Sequence, residues 1–355
     1  MIFAEVKSQD AVHLYLGLLS SSAYPVWVLT EKQQIMTTDF FSKLNASLSS
    51  WRSLWEQKPP DVCQSFWKYY QLDQLPGNGH LVCWPFEQWH LAVHVWTPLQ
   101  SARGTVLIWH GLFDHFAIYR KMIALALIQG FQVIGLDLPG HGLSDGQRAS
   151  IDDFSSYQRI LEGFFSVLEV WRCPQPWHAL GQSTGSAILW EYLLRSTRNS
   201  QLTQIMLLAP LVRPAAFAQV RWSYRTLGKW LKATPRKFRV NSSDKDFIRF
   251  THVHDPLQPR HLDMRWVGAM LEWEQYWRHS SLCSDKEIQI VQGGRDDTVD
   301  WAYNLAYLHR RFPAARILFL DEASHQLANE SDVIRQPLDQ RLAYMLNRSL
   351  TPTHV

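Results

Sequence analysis

Cysteine is scarce in this 355-residue chain, and the four present, Cys63, Cys83, Cys173 and Cys283, share no CxxC spacing. A disulfide framework or a zinc site needs clustered ligands, so neither is expected. Free thiols in a reducing, cytoplasmic setting are the expectation instead. Net charge is scarce too: 35 Lys and Arg against 32 Asp and Glu leave a formal +3, too little to argue for a nucleic-acid partner. No repeat or low-complexity tract stands out. Nor does any clean apolar run reach the roughly 20 residues that span a membrane. The nearest approach is 11–30, which lacks Asp, Glu, Lys and Arg but is broken by His13, Ser20-Ser21-Ser22 and Pro25. With no basic segment ahead of it, this stretch reads as a helix and turn packed on the protein, a cleaved signal being the alternative.

What is present is core-forming material. Apolar residues make up 46% of the chain and charged residues 19%, enough for one large domain with an insertion. Residues 1–78 read as a helical extension, with Phe40, Phe41, Leu44, Leu48, Trp51 and Trp55 near helical spacing, Pro59-Pro60 ending the run and 76–79 as a loop. From residue 79 to 210 short apolar runs alternate with helical stretches. Strands are expected over 81–84, 91–96, 105–109, 131–136, 177–180 and 204–208, and helices over 119–129, 152–171 and 184–195. This alternation predicts an α/β fold whose mostly parallel sheet is flanked by helices on both faces. Residues 211–283 contain no convincing strand and read as a helical cap inserted into that sheet. The alternation resumes over 284–350, with strands at 287–291 and 315–320 and helices at 301–312 and 331–347.

Gly181-Gln182-Ser183-Thr184-Gly185 fits G-x-S-x-G. The pattern alone is weak, because glycine and serine are common. Its setting strengthens it: the run WHAL leads straight in, and AILWEYLL leaves as an apolar helix. A nucleophile elbow needs this strand–turn–helix, since the serine sits on a strained turn that exposes its hydroxyl above the sheet. A serine hydroxyl attacks only when a base takes its proton, and that base is a histidine held in one tautomer by a carboxylate. In this fold the partners follow in the order serine, acid, histidine. Asp296 follows the 287–291 run through Gln292-Gly293-Gly294-Arg295, and His325 follows the 315–320 run. Asp297 and Asp300 are the rival acids, but the G-x-x-D turn favours Asp296. The oxyanion of an acyl-transfer intermediate needs aimed N–H donors. Thr184, directly after the serine, and Leu112, in the loop His110-Gly111-Leu112-Phe113-Asp114-His115, are the candidates.

Together these motifs resemble the monoglyceride lipase and bacterial lysophospholipase branch of the α/β-hydrolases. The branch's HGxGEH loop stands here as HGLFDH, its D-x-x-GHG-x-S as Asp137 to Ser144, its GHSMGG as GQSTGS, and its cap DPL as Asp255-Pro256-Leu257. The resemblance covers roughly residues 80–350. It implies a serine hydrolase of carboxylic esters with one acyl chain, such as a monoacylglycerol or lysophospholipid, needing no metal or organic cofactor. His110, Phe113, Trp266 and Met270 are then candidates for the substrate and cap surface. Three departures bear on substrate preference: Phe113 and Ser186 replace glycines, and Thr184 is polar where the branch has an apolar residue.

Between 213 and 243 there are eight basic residues and no acidic one. At about 100° per residue, Phe217, Val220, Tyr224, Leu227 and Leu231 share one face of a helix over 215–233, and Arg221, Arg225, Lys229 and Lys232 share another. Such a helix suits peripheral docking on an anionic membrane, or equally a cap with its basic face in water. The string His252-Val253-His254-Asp255 lacks the further histidines of a zinc hydrolase, so no metal site is expected.

Overall fold

The computed structural model describes residues 38–54, 59–196, 201–228 and 230–348. The charge-free stretch 11–30, Trp55 and Lys229 lie outside them. The central sheet has nine strands: β1 (Ser49–Ser50), β2 (Gly77–Phe86), β3 (Trp89–Pro98), β4 (Thr105–Trp109), β5 (Gln132–Leu136), β6 (Trp177–Gln182), β7 (Leu202–Leu208), then after the insertion β10 (Gln289–Gly293) and β11 (Arg316–Leu320). Their spatial order is β1-β2-β3-β5-β4-β6-β7-β10-β11. The β2–β3 and β3–β5 pairs are antiparallel and the others parallel. Every residue of β4, β5 and β6 is buried, as expected of parallel strands covered on both faces. The helices that flank the sheet are α3 (Arg120–Ile128), α4 (Ser155–Val170), α5 (Thr184–Arg195), α9 (Trp301–Arg311) and α10 (Asp332–Arg348), while α1 (Thr38–Ser47) and α2 (Asp61–Tyr69) precede it. This is the α/β-hydrolase architecture.

Several boundaries differ from the sequence reading. The 76–79 stretch is not all loop, because β2 starts at Gly77. A Cβ on Gly79 would lie 2.7 Å from the Trp96 ring across the hairpin, so this glycine marks close packing within a strand. The hairpin turn is only Glu87-Gln88, since Phe86 still pairs with Trp89. β10 runs two residues later than expected. Its polar Gln292 is fully buried there because the amide has work beyond the strand, described below.

The 211–283 segment contains α6 (Phe217–Leu227), α7 (Lys245–Arg249) and α8 (Met264–His279), and also a short antiparallel ribbon of β8 (Ala233–Pro235) and β9 (His261–Asp263). That ribbon corrects the expectation of an all-helical cap. Three residues per strand, one of them proline, give no readable alternation. Arg213 donates to Glu274 on α8 at 2.7 Å within the segment, and ties the segment to α9 by stacking 3.7 Å over the Tyr303 ring.

Candidate functional site

Strand order says where a site belongs. β4 lies between β5 and β6, so the chain leaves β4 toward one side for β5, then crosses back to β6 on the other. Ligands of open α/β sheets gather at carboxyl strand ends around such a reversal. The 110–115 loop leaves β4 there, and Ser183 leaves β6 there.

Ser183 is the single residue between β6 and α5, with φ 54° and ψ −109°. A non-glycine residue so placed costs on the order of 1–3 kcal/mol and persists only where its surroundings over-determine it. Here the Ser183 N–H donates to the Leu208 carbonyl at 2.8 Å, and the Ser183 carbonyl accepts from Ala187 at 3.0 Å. The flanking glycines are demanded by contact: a Cβ on Gly181 would sit 2.6 Å from Gly185, and one on Gly185 only 2.0 Å from the Trp109 carbonyl oxygen. Ser186, where the branch has a second glycine, is fully buried and donates to the Gly181 carbonyl at 2.6 Å. Its departure braces the elbow. The Thr184 hydroxyl is buried too, so neither substitution offers a polar group at an open surface.

Asp296 and His325 are brought together: the imidazole Nδ1 lies 2.8 Å from Asp296 Oδ2. The carboxylate accepts three further N–H groups. Thr298 at 2.8 Å and Val299 at 3.1 Å donate to Oδ1, and the Gln292 amide at 3.1 Å donates to Oδ2. Burial opposes charge on both groups, but each offsets it for the other. The His325 pKa is held above its ordinary value chiefly by the Asp296 carboxylate, and the Asp296 pKa below its own chiefly by His325. The rival acids are occupied elsewhere. Asp297 is exposed and pairs with Arg239 at 3.4 Å, while Asp300 caps α9 by accepting from the Tyr303 N–H. With Nδ1 turned to the acid, His325 Nε2 is the nitrogen left to exchange a proton with a hydroxyl.

The 110–115 loop passes close to the elbow, since a Cβ on Gly111 would lie 3.3 Å from Ser183 Cβ. Leu112 is half-buried in this loop, and Thr184 opens α5, where the first N–H groups have no partner within the helix. His110 corrects the sequence reading. It is fully buried, its Nδ1 is 2.8 Å from the Gly111 carbonyl, and its Nε2 accepts from the Leu138 N–H at 2.9 Å. With both nitrogens committed and burial pushing its pKa down, it is a neutral brace of the loop, not a substrate group. Phe113 has φ 69°, which explains the glycine the branch carries there. Behind the loop, His115 Nε2 lies 2.9 Å from Asp255 Oδ2, and Asp255 also accepts from the Tyr70 hydroxyl at 2.8 Å. The HxHD string therefore feeds a buried network that joins the loop, the 211–283 segment and the residues after α2.

Trp266 and Met270 are buried on α8 within the cluster that includes Phe154, whose ring lies 5.5 Å from that of Trp266. They pack the 211–283 segment onto the core instead of standing on an open surface. Among the basic candidates, Arg221 and Arg225 lie on α6, which stops at Gly228, shorter than the expected 215–233. Lys232 is exposed but belongs to the approach to β8, so it does not share the α6 face, and Lys229 lies outside the described residues. Val220 and Tyr224 pack inward as expected, whereas Leu227 and Leu231 are exposed beside Trp222 and Trp230.

Three glutamines were missed by the sequence reading. Gln182 donates to the His325 carbonyl at 2.8 Å, Gln292 to Asp296, and Gln326 to both Asp114 oxygens at 2.7 and 2.9 Å. The available signal was adjacency: Gln182 precedes the serine, Gln326 follows the histidine, and Gln292 opens the acid turn.

Comparison with known proteins agrees with this architecture. The chain is 23% identical over 259 residues to a monoglyceride lipase homolog of Monkeypox virus, covering 71% of this chain and 93% of that protein. It is 23% identical over 206 residues to a phospholipase of Bacillus subtilis, covering 56% and 77%. Its fold matches a soluble variant of monoglyceride lipase from Saccharomyces cerevisiae, solved with a substrate analog, at TM-score 0.65 and 17% identity over 77% of this chain and 96% of that one. The sequence model of the family described as Serine aminopeptidase, S33 matches residues 100–332, more than half of the chain. The chain therefore belongs to the serine aminopeptidase S33 family of α/β-hydrolases, in its monoglyceride lipase-like branch.

Proposed function

We propose that the protein hydrolyses carboxylic esters bearing a single acyl chain, of the monoacylglycerol or lysophospholipid class, through Ser183, His325 and Asp296. The observation that carries this reading is the buried Asp296–His325 pair, whose carboxylate accepts four donors, set against a serine at positive φ on a strand–helix elbow. Ser183 Oγ attacks the ester carbonyl carbon while His325 Nε2 takes its proton. The developing oxyanion is met by the Leu112 and Thr184 N–H groups. Collapse of this intermediate breaks the bond to the alcohol, which leaves with the proton from His325. Water, deprotonated by the same nitrogen, then attacks the acyl-enzyme and releases the fatty acid. His325 then returns that proton to Ser183 Oγ as the acid leaves, so every proton transfer passes through a base the chain itself supplies.

A peripheral role at an anionic membrane is favoured by a separate observation. Trp222, Leu227, Trp230 and Leu231 are exposed around the end of α6, next to Arg225 and Lys232. Aromatic and aliphatic groups set among cations are what an interfacial element presents. Among the described residues no helix is long and apolar enough to cross a membrane.

The test is a panel of monoacylglycerols, lysophospholipids, short esters and aminoacyl amides, run on wild type and Ser183→Ala. Turnover should favour medium or long single chains. Ser183→Ala should lose both turnover and fluorophosphonate labelling while staying folded. Preference for short esters or for amides would replace the lipid reading, and labelling of the folded Ser183→Ala protein would remove Ser183 from the mechanism.

A further inference from the structure

Arg236 is a half-buried cation in contact with the loop that leaves β4. Its guanidinium sits 4.2 Å from the Phe113 ring and 4.6 Å from the Phe238 ring, held between the two. Nη1 donates to Gln258 Oε1 at 2.6 Å and reaches the Pro259 carbonyl at 3.4 Å. No carboxylate among the described residues pairs with it. Asp114 and Asp255 favour its charge from electrostatic range, but their oxygens are hydrogen-bonded elsewhere: Asp114 to Gln326 and Tyr119, and Asp255 to His115, Tyr70 and Gln258. A second guanidinium, Arg260, lies 5.1 Å from the same Phe238 ring and, among the described residues, likewise forms no ion pair with a carboxylate. Burial, helped by Arg260, outweighs the support of Asp114 and Asp255, so the Arg236 pKa is pushed down to about 10.

Partial burial of a cation is costly, and Asp114 and Asp255 offset only part of that cost here. Phe113 adds a second cost, since it occupies the left-handed region where the branch carries glycine. A glycine there would relieve the backbone but leave one face of Arg236 without its ring. Arg236 also adjoins open space. Its two hydrogen-bond partners, Gln258 and Pro259, line a cavity of about 380 Å³ together with Arg148 and Arg260. Arg236 touches Phe113, next in chain to the oxyanion candidate Leu112, so a group bound at Arg236 would adjoin the loop that leaves β4. The planar fork of arginine matches a phosphate better than a hydroxyl.

We propose that Arg236, backed by Arg260, is the head-group residue of this site and selects single-chain esters whose alcohol carries a phosphate over neutral glycerides. The inference rests on the lipid-ester reading above and narrows it. The phosphate could belong to the substrate or arrive as a free ion, and the experiment separates the two. Octanoyl lysophosphatidate and 1-octanoylglycerol, both below their aggregation concentrations so that no charged surface is present, are compared on wild type, Arg236→Gln, Arg236→Lys and Arg260→Gln. Fluorophosphonate labelling reports that each variant keeps a working elbow. Wild type should favour the phosphate ester in kcat/KM. Arg236→Gln should lower that ratio at least tenfold through KM, and Arg236→Lys should restore part of it. On wild type, glycerol 3-phosphate should inhibit glyceride hydrolysis competitively and at lower concentration than inorganic phosphate. A ratio unmoved by Arg236→Gln overturns the inference, whether both activities persist or fall together. So does glycerol 3-phosphate that fails to inhibit wild type, a result that needs no variant to fold. If wild type turns over neither lipid but cleaves p-nitrophenyl acetate, the lipid-ester reading itself has failed. If it turns over both with an unmoved ratio, only the role of Arg236 has.

Discussion

At the scale of single residues, the site depends on which of two adjacent aspartates faces inward. Asp296 accepts four hydrogen bonds and touches His325, while Asp297 lies in solvent against Arg239. Asp296→Asn should therefore lower kcat by several orders of magnitude, given about 10⁴ in a trypsin-type triad, and Asp297→Asn should change it less than threefold. The reverse ranking in steady-state kinetics would exchange their roles. The same pair fixes a pH dependence. His325 accepts a proton only when neutral, and Asp296 holds its pKa above the ordinary histidine value. The rate should thus rise with pH through a midpoint above about 6.5, the ordinary value for histidine. An acid limb of kcat/KM centred below that value, with chemistry limiting, would contradict a carboxylate-paired base.

At the scale of elements, α6 separates what sequence could reveal from what it could not. Its inward face, Val220 and Tyr224, was readable from periodicity because burial imposes the helical repeat. Its end was not: Gly228 follows Leu227 and the chain turns toward the three-residue β8, which leaves Leu231 and Lys232 off the helix. Strands β4 to β7 were legible as apolar runs, the elbow as a motif after β6, and the acid turn and terminal histidine as motifs after β10 and β11. The polar shell was illegible. Gln182 and Arg236 gain their roles from partners 143 and 22 positions away, which no local pattern encodes, whereas Gln292 acts only 4 positions on and reads locally as one more strand residue. Whether α6 meets a membrane is testable at this scale. Each Lys or Arg near an anionic surface contributes about 1 kcal/mol of attraction. Replacing Arg221, Arg225 and Lys232 by glutamine should weaken sedimentation with anionic vesicles by at least tenfold at low salt, and added salt should weaken wild type similarly. Equal binding of variant and wild type would leave α6 as cap structure alone.

At the scale of the whole molecule, the many histidines decide how the fold responds to acid. His141 is fully buried, its Nδ1 lies 2.9 Å from the Pro139 carbonyl, and burial with the neighbouring His110 pushes its pKa down to about 3. Burial pushes His178 down to about 4 and also lowers His110. These imidazoles stay neutral in the fold but take up a proton on unfolding, where the histidine pKa is about 6.5. Below that pH the unfolded chain binds more protons than the native one, so stability falls as pH drops from about 6.5 toward 4. His115 and His325 act in the opposite direction. Their raised values favour the fold below about 6.5, and that contribution disappears as pH rises through their folded values. The balance turns on His141, whose displacement is the largest among them. Urea midpoints should therefore be lower at pH 5 than at pH 7. His141→Gln keeps a donor for Pro139 but cannot titrate, so its midpoint should change less over that interval than the wild-type midpoint does. Parallel pH dependences for the two proteins would show that His141 does not carry the acid sensitivity of the fold.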